Sequence, residues 1–209
     1  IPKDHHLLGP ALSMGVLSAE RVMRYDLVEE WSKIFTTEPT LTAHYALLEY
    51  QLETSKNILD KTLALIKLEE RLKALHFPTI LANQLFSALN AQREEEAKKC
   101  IEIAERIESN YLLDADGELH LAQAMITLNR WVELERRARK AIKRFPDDIR
   151  FQVVLAYSLD KLGLSADALN LLKKILEQDC EDRIALEAYL GIVLRCNFID
   201  EAIRSVEKL

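Results

Sequence analysis

Glycine and proline are scarce in this chain, with 5 of each among 209 residues. An average chain of this length would carry roughly 15 glycines, at about 7%. The five glycines form neither a G-x-G-x-x-G nor a G-x-x-x-x-G-K pattern, so the sequence does not predict a nucleotide-binding loop. Few helix breakers and 49% apolar residues instead favour a helical protein with a continuous core.

Further shortages narrow the class of protein. Cys100, Cys180 and Cys196 form no C-x-x-C pair, which argues against a disulfide framework and favours a reducing, cytoplasmic compartment. A formal net charge of −6 opposes binding to nucleic acid, and no apolar run approaches the length of a membrane-spanning helix. We therefore expect neither nucleic-acid binding nor membrane insertion. The chain begins at Ile1 rather than at an initiator Met, and we expect a fragment of a larger protein.

Catalytic and metal-binding patterns are also missing. The histidines within the chain are isolated, and no H-E-x-x-H, G-x-S-x-G or paired Cys and His spacing occurs. Asp114 and Asp116 are similar to the start of a calcium loop, but the third ligand position and the distal Glu are absent. Asp114 is better interpreted as a helix cap. We expect a protein that is not an enzyme and holds no metal ion or cofactor.

What the sequence does contain is a repeat of 34 residues. Three columns of residues recur at this spacing. The first is a column of turn-forming residues, Asn129, Gly163 and Asn197. The other two contain apolar or small residues: Leu134, Ala168 and Ala202 in one, and Ala138, Leu172 and Val206 in the other. Ala122 and Ala156 repeat upstream, and Pro146 closes the first unit. A tight link between helices favours a residue that tolerates positive φ, and helices approach closely only where facing side chains are small. The pattern predicts helix-turn-helix units.

The helical pattern continues toward the N-terminus with a blurred period. A shift of 37 residues recovers another copy around Leu85 and Ile101, and apolar stripes at helical spacing continue before it. The sequence predicts six helix pairs, near residues 8–37, 40–76, 78–109, 113–145, 148–179 and 182–209. We interpret residues 1–209 as one helical-repeat domain. Hairpins over 8–77 are less regular, and the repeats over about 78–209 are regular.

The period, the turn column, the A-x-x-x-apolar spacing and the closing Pro resemble the tetratricopeptide repeat. The resemblance covers the last three predicted pairs well, the third in part, and the first two only as hairpins. It implies an all-α fold, a right-handed superhelical solenoid of about six helix-turn-helix pairs. It also implies a non-catalytic scaffold that binds a peptide or partner helix in a concave groove. The family's chaperone-tail clamp needs Lys and Asn four residues apart, and Val153 with Tyr157 does not match it.

The resemblance further implies two groove-facing columns, one turn apart on the first helix of each pair. These columns hold Phe86, Asn90, Gln123, Thr127, Tyr157, Lys161, Gly191 and Arg195, of which all but Gly191 are our candidate partner-binding residues. Such a lane of aromatic, amide and cationic groups suits a peptide with acidic side chains. A basic run from Arg130 to Arg144, on the second helix of the fourth predicted pair, contains Arg136, Arg137, Arg139, Lys140 and Lys143. We expect this run on a solvated convex face, with docking of an acidic partner as the alternative.

Two other functions are alternatives to the interaction scaffold. A ligand-sensing or regulatory segment of a larger regulator, as in bacterial transcription activators, would hold a small effector in the groove. An RNA-reading helical repeat would need a 35-residue period and a basic groove, and this sequence has neither.

The C-terminal repeat ends on an apolar stripe. Ile199, Ile203, Val206 and Leu209 lie at helical spacing, and Ile184, Ile192 and Leu194 before them also need cover. Terminal repeats of a solenoid normally present a polar outer face. We expect either further repeats in the full-length protein or homo-association through this end.

Overall fold

The computed structural model describes residues 7–56, 61–180 and 182–196. These residues form eleven α-helices and one short 3-10 helix, Pro39–Leu41, and they contain no strand. The helices are α1 (Leu8–Arg21), α2 (Tyr25–Thr37), α3 (Thr42–Lys56), α4 (Lys61–Ala74), α5 (Thr79–Ala88), α6 (Glu94–Glu108), α7 (Ala115–Thr127), α8 (Trp131–Arg144), α9 (Arg150–Lys161), α10 (Ser165–Gln178) and α11 (Arg183–Arg195). The predicted all-α fold is confirmed. The second helix of the sixth predicted pair lies outside the described residues.

The chain gathers into two compact units. Unit 1 comprises Ile1–Ala88 and Glu105–Tyr111, and unit 2 comprises Leu89–Ala104 and Leu112–Leu209, so α6 contributes to both. The interpretation of residues 1–209 as one domain stays a prediction.

Unit 1 is built by close packing of its first three helices. Its core cluster contains Leu8, Val16, Phe35, Leu41 and Leu48, which come from α1, α2, the 3-10 helix and α3. Two glycines permit the approach of α1 to its neighbours. A Cβ atom on Gly9 would lie 2.4 Å from Cδ2 of His44, and one on Gly15 would lie 2.8 Å from Cζ3 of Trp31. A side chain at either position would force the ring of His44 or Trp31 to move.

Unit 2 repeats one hairpin arrangement. Each helix from α7 to α11 packs on the next, and α9 also contacts α7 and α11. The small residues of the predicted columns lie in the core, where Ala156 and Ala168 are fully buried and Ala122 and Ala138 nearly so. These columns are therefore confirmed for the described residues. Asn197, Ala202 and Val206, together with the apolar stripe over 197–209, lie outside them.

The turn column is also confirmed at its two described members. Asn129 has φ 55° and Gly163 has φ 85°. In both turns the N–H of the next residue bonds back to a carbonyl five residues earlier: Arg130 to Met125 and Leu164 to Leu159, each at 2.9 Å. This is the Schellman pattern, which satisfies the last carbonyls of a helix through one left-handed residue.

The hairpin of α1 and α2 uses the same turn without a glycine or asparagine. Met23 has φ 59°, and the N–H of Arg24 bonds to the carbonyl of Ala19 at 2.8 Å. Sequence reasoning did not find this turn because methionine is not a turn-forming residue. The backbone geometry of the hairpin therefore outweighs the local cost of a left-handed methionine.

The start of α7 confirms one sequence prediction and corrects another. Asp114 caps the helix, with its Oδ1 accepting a hydrogen bond from the N–H of Gly117 at 2.8 Å. Four residues later, the carboxylate of Glu118 is only 5% exposed, and it bonds to Nε of Arg137 at 2.6 Å and to Arg144 at 2.6 Å. The expectation that the whole basic run faces solvent is thus wrong for Arg137 and Arg144. Their positions on the helix predicted side chains that face solvent. They instead pair with Glu118, because a buried carboxylate needs cationic partners.

Gly163 and Gly191 offer a matched test of the turn, because a Cβ atom would meet nothing within 4 Å at either position. Replacing Gly163 by Ala should lower the free energy of unfolding by roughly 1–2 kcal/mol, since only its positive φ opposes a side chain. Gly191 lies inside α11, so Gly191→Ala should raise stability by roughly 0.5–1 kcal/mol. Urea unfolding followed by circular dichroism measures both. Equal effects of the two substitutions would contradict the left-handed turn.

The Glu118 cluster predicts a difference between two neighbouring arginines. Arg137→Met removes one partner of a buried carboxylate and should lower the free energy of unfolding by about 1–3 kcal/mol. Arg139 pairs with Glu135, but its side chain is 56% exposed, so Arg139→Met should change stability by less than about 1 kcal/mol. Thermal unfolding of both variants measures the difference. A solvated Arg137, as first expected, would make the two variants alike.

Candidate functional site

Two aromatic rings and a lysine meet on unit 2. Trp131 is the first residue of α8, and Tyr157 and Lys161 lie one turn apart on α9. The rings of Trp131 and Tyr157 have centroids 5.8 Å apart and planes inclined at 70°, an edge-to-face arrangement. The Nζ atom of Lys161 lies 5.3 Å from the centroid of Tyr157 and 5.9 Å from that of Trp131. These distances are within the range of cation–π attraction. We refer to Trp131, Tyr157 and Lys161 as the aromatic–lysine cluster.

The polar tips of this cluster point to no acceptor in the described part of the chain. Both rings are partly buried and Lys161 is exposed. Among the described residues, neither the indole N–H of Trp131 nor the hydroxyl of Tyr157 has a hydrogen-bond partner, and Lys161 has no carboxylate partner. A partly buried aromatic ring whose polar group has no acceptor among the described residues is typical of residues at protein interfaces.

A buried carboxylate lies beside the cluster. Asp160 precedes Lys161 in α9, and its side chain is only 3% exposed. Its Oδ1 accepts a hydrogen bond from the hydroxyl of Ser165 at 2.8 Å, and its Oδ2 pairs with Arg195 at the end of α11. Arg195 itself remains about half exposed. The predicted cation of α11 is therefore neutralised within the chain, whereas Lys161 has no such counterion among the described residues.

Thr127 and Gln123 lie on α7, the first helix of the preceding pair. The single hydroxyl proton of Thr127 is shared between two carbonyl oxygens, that of Ala91 at 2.7 Å and that of Gln123 at 3.1 Å from Oγ1. The hydroxyl thus holds the segment before α6 to the end of α7, and it is not available as a donor to a partner. The side chain of Gln123 is partly exposed.

Phe86 and Asn90 belong to different units, so each is described within its own unit. Phe86 is in unit 1 and is only 3% exposed, so a partner cannot reach its ring. Asn90 is in unit 2, where it builds the connection between α5 and α6. Its N–H bonds to Oε2 of Glu96 at 2.6 Å, and its Oδ1 accepts from the N–H of Gln92 at 3.0 Å. We leave Phe86 out of the candidate site for this reason.

Sequence reasoning missed Trp131 altogether. The columns implied by the family resemblance lie only on first helices, and Trp131 begins a second helix. A usable signal was present, since Trp131 and Ser165 each follow the left-handed turn residue by two positions. The next repeat has a small serine at this position, whereas this repeat has a tryptophan. A side chain as large as tryptophan at the end of the hairpin can contact the first helix of the following pair.

The described residues offer little evidence for a metal site or a reactive side chain. No group of three or more His, Cys, Asp or Glu side chains there is placed to hold a metal ion. Cys100 is fully buried, with its Sγ 3.6 Å from Nε2 of His120. Burial raises the pKa of the Cys100 thiol to about 12, so it stays protonated and unreactive at neutral pH. None of the described helices has the length and apolar character needed to cross a membrane.

Unit 1 contains an open groove of about 430 Å³ between α3 and α4. Tyr50 and Leu68 line it, and ion pairs join its two walls: Lys67 with Glu53 at 2.6 Å and Arg71 with Glu49 at 3.4 Å. All four charged side chains are well exposed to solvent. Exposed pairs of this kind contribute little stability and separate easily.

The fold is similar to that of a solved helical-repeat protein. The structure of MamA AMB-1 in a P212121 crystal matches with a TM-score of 0.60, over 88% of this chain and 98% of that chain, at 15% sequence identity. MamA is a helical repeat solenoid. No family model matches the sequence, and no curated protein matches it. At this identity the comparison shows the fold alone: the chain is all-helical and resembles a helical repeat solenoid.

Proposed function

We propose that unit 2 is a non-catalytic protein-interaction module and that the aromatic–lysine cluster contacts a peptide or helix of a partner protein. The cluster is the observation that carries this proposal. It combines two large rings, fixed by packing, with three polar tips that have no acceptor among the described residues. The similarity of the fold to a helical repeat solenoid supports it, because such folds commonly serve as binding surfaces.

The neighbours of α9 extend the proposed surface. Because α9 packs against both α7 and α11, the first helices of three successive pairs lie side by side in unit 2. A partner segment crossing α9 at Tyr157 would meet Gln123 on one side and Arg195 on the other. Trp and Tyr side chains dominate binding energy at many interfaces, since they bury much area for few rotatable bonds. Tyr157 and Trp131 are accordingly the proposed anchors, and Gln123, Lys161 and Arg195 are the proposed polar contacts.

A second function, the sensing of a small effector, has one observation in its favour. The groove between α3 and α4 is concave and is lined by Tyr50 together with separable ion pairs. A small polar ligand would fit there by replacing one exposed pair. This would make unit 1 the sensing part of a larger regulator, with the effector bound in a different unit from the one that carries the aromatic–lysine cluster.

The interaction proposal predicts that loss of either ring weakens capture of peptides. A phage-displayed library of random dodecapeptides is selected on the immobilised chain, and enriched peptides are then synthesised and their affinities measured by fluorescence anisotropy. Trp131→Ala and Tyr157→Ala should each weaken binding by about tenfold or more, which is the usual effect of truncating an aromatic anchor. Circular dichroism confirms that the variants keep their helical content.

Lys140→Glu provides the control for changed surface charge. Lys140 is exposed on α8 and far along that helix from Trp131, so its reversal should leave the affinity within about twofold. The interaction proposal is contradicted if no peptide is enriched over a surface without protein, or if the enriched peptides bind both ring variants as tightly as the parent chain.

A further inference from the structure

Two cations stand at the ends of neighbouring first helices, and their surroundings differ. Lys161 lies in the last turn of α9 and Arg195 in the last turn of α11. A helix C-terminus carries partial negative charge, and this alone favours a cation in each position. Arg195 also has a full counterion, because it pairs with the buried Asp160. Lys161 has ring faces beside it instead, and no carboxylate among the described residues.

The ring contacts leave the hydrogen-bonding capacity of Lys161 in place. An ammonium group has three N–H donors, and attraction to a ring face occupies none of them with a full acceptor. The indole N–H of Trp131 and the hydroxyl of Tyr157 add two further donors. The aromatic–lysine cluster thus presents donors and one positive charge. Carboxylates supply the matching acceptors and charge, whereas a cationic partner would meet a like charge at Lys161.

From this charge complementarity we infer that the aromatic–lysine cluster selects acidic segments of partner proteins, and that Asp160 weakens this selection by acting as the internal counterion of Arg195. The inference rests on the proposed function and adds to it the chemistry of the partner. It commits the surface to one occupant, a protein segment in which Asp or Glu lies close to an apolar side chain. The apolar side chain packs on Trp131 and Tyr157 while the carboxylate meets Lys161.

Asp160 is well placed for the second role. Its carboxylate is held by Ser165 on one oxygen and by Arg195 on the other. An incoming carboxylate that approached Arg195 would compete with Asp160 for the guanidinium group and would be repelled by its charge. Asparagine has the same shape as aspartate and can still accept the hydrogen bond from Ser165. Asp160→Asn therefore removes the charge with the least change of structure.

The test determines the amino-acid composition of those selected peptides whose binding is lost in Trp131→Ala. These peptides should be enriched in Asp and Glu over the starting library and depleted in Lys and Arg. Each enriched peptide is also synthesised with Gln and Asn in place of its acidic residues. The parent chain should bind the amide form about tenfold or more weakly, since a charge-assisted hydrogen bond is lost. A Lys161→Gln variant should bind the two forms with nearly equal affinity.

The role assigned to Asp160 predicts that a substitution there raises the affinity for the acidic peptide, whereas the ring and Lys161 substitutions lower it. Asp160→Asn should strengthen binding of the acidic peptide by about 2–5-fold at low salt, because Arg195 becomes available. Asp167→Asn, at an exposed position on α10, changes the net charge equally and should leave the affinity unchanged. If Asp160→Asn loses helical content, Arg195→Gln replaces it in the test. That change exposes the charge of Asp160 and should weaken binding of the acidic peptide by a similar factor.

The outcomes separate this inference from the proposed function. If capture depends on Trp131 but the peptides show no acidic preference, or a basic one, the inference is wrong and the interaction module stands. If the acidic preference is present but neither Asp160→Asn nor Arg195→Gln changes the affinity, the role assigned to Asp160 is wrong. Absence of any capture that depends on Trp131 overturns the proposed function itself.

Discussion

One left-handed residue, two positions beyond the end of α7 and again of α9, determines where the candidate site lies. At Asn129 and Gly163 this residue lets the next N–H close the helix and starts the second helix two positions later. Trp131 and Ser165 are the residues placed there. Trp131 contacts the ring of Tyr157 and the ammonium group of Lys161 on the following α9, and Ser165 bonds to Asp160 of its own hairpin. The turn that gives the repeat its shape thus also sets both halves of the site.

Two buried carboxylates in unit 2 each join a pair of helices through ion pairs with arginine. Glu118 joins α7 to α8 through Arg137 and Arg144, and Asp160 joins α9 to α11 through Arg195. Removing a carboxylate from water is costly, and its arginine partners offset that cost only when the geometry is maintained. Each pair therefore favours one register between its helices. The Glu118 pairs stabilise the α7–α8 hairpin, whose second helix begins with Trp131. The Asp160 pair is the contact that we propose limits the access of a partner to Arg195.

Apolar residues at helical spacing predicted the described helices. The period of 34 predicted the turns at Asn129 and Gly163, because residues needed for packing or for the turn recur at that spacing. It could not predict contacts made by residues that do not repeat. Arg137 pairs with Glu118, 19 positions away, and no helical stripe reveals such a pair. Phe86 belonged to a column implied by resemblance, yet its own packing buries it. Trp131 was missed because the resemblance directed attention to first helices alone.

The most direct test of the account is the nuclear magnetic resonance signal of the tryptophan indole N–H groups. The chain has two tryptophans, Trp131 in the candidate site and Trp31 in unit 1, so one serves as an internal reference for the other. Substitution of Trp131 by Phe assigns the two signals. On titration with an acidic peptide selected on the chain, the account predicts that the Trp131 signal shifts progressively while the Trp31 signal stays in place. Saturable binding of that peptide with an unmoved Trp131 signal would contradict it.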